Sequence, residues 1–168
     1  MSSPRKTPTQ ALKEAMLLCS KEEKCSYDIK KKLLSWGMSK EETVKILQQL
    51  THEKYIDDIR YAKSFANDKL RYNKWGRIKI AIELKKRKVQ DIIIQEALGS
   101  IDKDEYRNIL AHELKKKAGS IRKAPNTLSV TKALYRFALN RGFEQDEIQK
   151  ILENTNYERQ STEKYLNL

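Results

Sequence analysis

Tyr55-Ile56-Asp57-Asp58-Ile59-Arg60-Tyr61-Ala62-Lys63-Ser64-Phe65-Ala66, then Lys74-Trp75-Gly76-Arg77, then residues 80–89, is the stretch whose reading decides the fold. Asp57 or Asp58 can cap a helix start, where an acidic side chain also suits the positive end of the helix dipole. Ile59, Ala62, Phe65, Ala66 and Leu70 then recur at helical spacing and define one apolar face. A turn over residues 72–76 leads to a second helix over 77–87, with Ile80, Ala81 and Leu84 inward. Gln90 or Asp91 begins a third, with Ile93, Ile94, Ala97 and Leu98, and Gly99 stops it.

The same plan stands on either side. Thr7-Pro8-Thr9-Gln10 is a cap, a proline suited to the first helical position and a residue that reaches back, followed by a stripe of Leu12, Ala15, Met16 and Cys19. Ser26 starts a helix with Ile29, Leu33 and Trp36, ended by Gly37, and Ser39 to Glu42 form a capping box before Val44, Ile46, Leu47 and Leu50. On the other side, Asp102 to Glu105 repeat the capping-box pattern before Tyr106, Ile109, Leu110 and Leu114, with Gly119 as the stop. Residues 119–127 are the longest irregular link. Val130, Leu134, Phe137 and Ala138 carry an eighth helix, and Ile148, Ile151 and Leu152 a ninth.

These copies align. Met38, Val89 and Phe143 coincide at spacings of 51 and 54 residues. Nine positions earlier stand Ile29, Ile80 and Leu134, and five earlier Leu33, Leu84 and Ala138. Eight later stand Ile46, Ala97 and Ile151, and nine later Leu47, Leu98 and Leu152. Apolar residues matched at five registers in three copies indicate a tandem repeat. The expected fold is all-α: an elongated, curved array of three three-helix units, about nine helices, with units at 1–55, 56–100 and 101–154 and a C-terminal tail at 155–168. Such a row offers a long surface and no deep pocket, which favours an extended partner over a small-molecule substrate.

Composition agrees with helix throughout: five glycines and three prolines in 168 residues leave few breakers. Charged residues make up 35%, above the roughly 25% of an average domain, so each core is thin and one-sided. No apolar run approaches the about 20 residues needed to span a bilayer, so no membrane role is expected. The polar start is no secretory signal, and two cysteines six residues apart fit a reduced, cytoplasmic protein. Cys19 falls on an apolar face and reads as core.

The net charge of +12 calls for an anionic partner. It is also segregated. Residues 69–88 and 115–141 carry +8 each, the first interrupted only by Glu83 and the second by no acid, so the remainder is mildly acidic. The candidate contact residues are Lys69, Arg71, Lys74, Arg77, Lys79, Lys85, Lys86 and Lys88, and Lys115, Lys116, Lys117, Arg122, Lys123, Arg136 and Arg141. Tyr72, Trp75 and Tyr135 lie among them and could stack on bases, although turn packing is the simpler use of Trp75. The third helices are acidic, Glu41, Glu42 and Glu53 in one case, so a helix-turn-helix reading with a third helix in the major groove is disfavoured.

Catalysis has little support. His52 and His112 are far apart, no His/Cys cluster has metal-ligand spacing, and no Gly-rich phosphate loop is present. Capping explains Asp57-Asp58 better than a metal does. No enzyme activity and no cofactor are expected.

Ile56-Asp57-Asp58, Tyr61-Ala62, Phe65, Lys74-Trp75-Gly76-Arg77, Glu83-Leu84 and Lys88-Val89 together resemble the RecX family, bacterial regulators of the recombinase RecA. Arg141-Gly142-Phe143 resembles that family's third-unit turn. The likeness covers residues 55–152, with the first unit matching through pattern and its Trp36-Gly37 turn. Lys88 stands where the family has glycine; its Cβ disfavours a left-handed cap, so that turn is expected to differ locally. The resemblance implies a monomer that binds the RecA–DNA filament, in its groove, and inhibits strand exchange and ATP turnover, in DNA repair, recombination and the SOS response. The alternative is an autonomous, non-sequence-specific DNA-binding protein.

Overall fold

The computed structural model describes residues 5–121 and 127–154. Arg122, Lys123 and the tail at 155–168 lie outside the described residues. Those described form helices α1 (Pro8–Lys21), α2 (Ser26–Ser35), α3 (Lys40–His52), α4 (Asp58–Arg71), α5 (Arg77–Lys86), α6 (Asp91–Gly99), α7 (Lys103–Ser120), α8 (Thr127–Asn140) and α9 (Gln145–Asn154), with no strand among them. The chain is all-α.

Local chemistry sets most helix starts. Thr7 and Ser39 make complete capping boxes with Gln10 and Glu42. Asp102 accepts from the Glu105 amide at 2.7 Å. Glu105 does not close that box; its carboxylate is held by Arg71. Asp57 caps α4, accepting from the amides of Ile59 and Arg60 at 2.9 Å. Asp58 instead takes the Ser26 amide at 2.8 Å and the Ser26 hydroxyl at 2.7 Å. It thereby satisfies the start of α2, where Cys25 offers no side-chain cap.

The three turns between second and third helices share one geometry. Gly37, Lys88 and Gly142 have φ of 86°, 57° and 83°. The following amides, of Met38, Val89 and Phe143, each reach five residues back, to the carbonyls of Leu33, Leu84 and Ala138 at 3.2 Å. The turn at Lys88 therefore does not differ locally: the lysine accepts the left-handed conformation.

The described residues pack as two compact units. One comprises Met1–Phe65 and Glu83–Ser100, the other Ala66–Ile82 and Ile101–Leu168, so α4 and α5 each contribute to both. In the first, α1, α2 and α3 pack mutually around Ala11, Ala15, Ile29, Leu33, Met38, Ile46, Leu50 and Ile56. Val44 is not part of that core and is 50% exposed; Thr43 is buried in its stead. Ile59 likewise faces out, and Tyr61 is buried. Both shifts arise because helices of 13 and 14 residues with several closely spaced apolar residues allow two phasings. In the second unit α7, α8 and α9 pack mutually, with Tyr106, Leu110, Leu114, Leu134, Ala138, Phe143 and Ile148 buried.

Candidate interaction surface

The bases of the second unit fall into two sets. One set is committed to internal contacts. Gly76 and Gly142 allow the α4–α5 turn to lie directly on the α8–α9 turn: a Cβ on Gly76 would stand 2.2 Å from the Gly142 carbonyl oxygen. The Gly76 amide donates to the Arg141 carbonyl at 2.8 Å and the Ile78 amide to the Gly142 carbonyl at 3.0 Å, satisfying the start of α5. The Arg77 amide donates to the Tyr106 hydroxyl at 3.1 Å, and that hydroxyl donates to Glu144. Burial, and then the Glu144 hydrogen bond, push the Tyr106 hydroxyl well above its ordinary range, so it stays a donor. The Arg77 guanidinium covers the Tyr106 ring at 3.9 Å and donates to Glu144 at 3.2 Å. Arg141 donates to the Asn73 carbonyl at 3.2 Å, lies 3.6 Å from the buried carboxylate of Glu113 and stacks on Phe137. Arg71 forks onto Glu105 at 2.7 and 2.9 Å, and Lys74 donates to the Arg71 carbonyl.

The other set faces outward. Lys115, Lys116 and Arg136 are exposed on α7 and α8, and Lys117 lies against Phe137. Trp75 is half-buried in its turn and holds the ammonium groups of Lys79 and Lys69 at 4.7 and 5.4 Å from its ring centroid. It thus orients two lysines rather than offering an open face to a base. Tyr72 beside it is 80% exposed. An open depression of about 470 Å³ is lined by Lys74, Asp102, Asp104, Glu105, Asn108, Ile109 and His112; its carboxylates repel phosphate.

In the first unit Lys88 is exposed, and Lys85 and Lys86 pair with Asp91 and Glu83 at 3.1 and 2.7 Å. Lys30, Lys31 and Lys32 form an exposed run on α2 that sequence reasoning passed over, with Lys32 and Lys6 near the Trp36 ring. The signal was the triple lysine itself, hidden in the whole-window charge by neighbouring acids.

Burial pushes the Cys25 thiol up to about 11 and raises Cys19 as well, so neither is a ready thiolate. Among the described residues no group of three or more His, Cys, Asp or Glu could hold a metal ion, and no helix is long and apolar enough to cross a membrane. What the surface can do is present fixed ammonium and guanidinium groups.

Comparison with known proteins adds to this geometry. Residues 57–98 match the family model described as RecX, second three-helix domain. A regulatory protein RecX of Pelodictyon phaeoclathratiforme is 34% identical over 127 residues, covering 74% of this chain and 76% of the relative. One from Clostridium botulinum strain Eklund 17B is 31% identical over 137 residues, covering 80% of this chain; the chain spans 64% of that relative's length. A crystal structure of RecX from Lactobacillus salivarius superposes with a TM-score of 0.81 at 19% identity, covering 88% of this chain and 95% of that one, a likeness of fold.

Proposed function

The chain belongs to the RecX family, and we propose that it is a negative regulator of RecA that binds the RecA–DNA filament, in its groove, and lowers strand exchange and ATP turnover. The observation that carries this reading is positive charge held in place. Trp75 fixes Lys69 and Lys79, and Lys115 and Lys116 project from α7. Such groups can compete with incoming DNA by occupation, with no bond made or broken.

The contact set also narrows within the proposal. Arg71, Arg77 and Arg141 are engaged with Glu105, Glu144 and Glu113, so they serve the partner surface mainly by holding their turns. Lys69, Lys79, Lys85, Lys86, Lys88, Lys115, Lys116, Lys117 and Arg136 are the residues proposed for direct contact, in a chain proposed to act as a monomer of three units at 1–55, 56–100 and 101–154.

The test titrates the whole chain into RecA on single-stranded DNA and follows ATP hydrolysis and strand exchange. Both should fall near stoichiometric amounts, less so as salt rises. Unchanged rates at saturation would overturn the reading. Tight binding to DNA without RecA, with a steep salt slope, would favour the autonomous DNA-binding alternative.

A further inference from the structure

Helix α5 is apolar on two sides. Ile80 and Leu84 are fully buried, yet Ile78 and Ile82, one turn apart, are 47% and 49% exposed. A lone exposed aliphatic residue is ordinary, but two β-branched residues stacked on the outer face of a ten-residue helix sit where lysine or glutamate would serve the helix better. The same helix is basic, with Arg77, Lys79, Lys85 and Lys86 against Glu83. Lys85 lies seven positions from Ile78 and Lys86 four from Ile82, so ammonium groups continue the isoleucine row. Both lysines are mostly exposed, 58% and 65%, and their ion pairs are surface pairs that exchange readily.

A phosphate backbone rewards the lysines and offers little to the isoleucines, because its surface carries no aliphatic pocket. A protein surface can meet both requirements. We propose that the outer face of α5 docks an acidic protein surface bearing an aliphatic pocket, with Ile78 and Ile82 entering the pocket and Lys85 and Lys86 meeting carboxylates at its edge. The proposal rests on the filament reading and deepens it: this face belongs to the protein component of the filament, and the nucleic acid is left to other bases.

The experiment uses the whole chain with Ile78→Ser and Ile82→Ser together, and Ile78→Val with Ile82→Val as the conservative control. Affinity for preassembled RecA filaments is read by fluorescence anisotropy, alongside affinity for single-stranded DNA alone, the helical circular dichroism signal and light scattering. The serine variant should lose at least ten-fold in filament affinity, keep its DNA affinity within two-fold and keep its helix content; the valine variant should bind as wild type. Unchanged filament binding by the serine variant overturns the proposal and leaves the filament reading intact. A parallel loss of DNA affinity reassigns the face to nucleic acid and overturns it too. So does a wild-type dimer that the serine variant dissociates, since a second copy would then be the occupant. Wild-type chain that does not bind filaments at all retires the filament reading and this inference with it.

Discussion

Lys88 holds φ at 57°, in the turn where Gly37 and Gly142 do the same work without a Cβ. Left-handed backbone costs a residue with a side chain roughly 1 kcal/mol relative to glycine. Lys88→Gly should therefore raise stability by up to about 1 kcal/mol in urea unfolding. A neutral or destabilising result would mean that the lysine side chain makes a compensating contact. Gly76 presents the opposite case. Its missing Cβ is replaced in space by the backbone of Gly142 and Phe143, at 2.2 to 2.3 Å, and backbone cannot step aside as a flexible side chain can. Gly76→Ala should cost about 3 kcal/mol or more and separate the two turns. A loss below about 1 kcal/mol would show that the turns part easily. The role of Gly76 could not be read in the chain, since the atoms it admits, of Gly142 and Phe143, lie 66 and 67 positions away.

The elements show where local rules were enough and where they were not. Thr7 and Ser39 cap the helices they precede because both halves of the box lie within three residues. The Asp57-Asp58 pair reads locally as two candidates for one cap. In the fold they cap two helices, α4 from Asp57 and α2 from Asp58. Each change to alanine should cost about 1 kcal/mol, and only the Asp58 effect should shrink when Ser26 is also alanine. Equal effects of Asp58→Ala in both backgrounds would break that link. Tyr106 carries a similar surprise: an apolar register position in the sequence, it donates to Glu144 and accepts from Arg77. Tyr106→Phe removes the partner of the Arg77 amide and of one Glu144 carboxylate oxygen, the other keeping the Arg77 guanidinium, and should cost about 1 to 3 kcal/mol by thermal or urea unfolding. The Arg107 guanidinium holds the Glu147 carboxyl below its ordinary 4.5. A depressed folded-state value means that the stabilisation is present above the unfolded carboxylate range and is lost as pH falls through the folded value. The urea midpoint should drop on going from about pH 6 to about pH 3, and Arg107→Gln should reduce that drop. An identical drop in the variant would assign the acid sensitivity to other carboxylates.

For the whole molecule, the segregated charge makes the working prediction. A chain with Lys69, Lys79, Lys115 and Lys116 changed to glutamine should keep its helix content and lose RecA inhibition most strongly at low salt, where screening is least. Retained inhibition would remove those lysines from the contact. Glutamate at Arg71 and Arg77 is a poorer test, because it would set like charges against Glu105 and Glu144 and perturb the fold. The all-α class and the buried registers at Ile29, Ile80 and Leu134 and at Leu33, Leu84 and Ala138 were determined by the sequence alone. Helical periodicity, capping and turn signals act over fewer than ten residues and are written in order along the chain. Only the tertiary structure decided which bases are spent inside the protein and which face outward. Arg77 and Arg141 look like Lys115 and Lys116 in a charge count, and they differ because Glu144 and Glu113 approach them from distant segments. Pairing across 67 and 28 positions depends on how helices pack, and no local pattern records it.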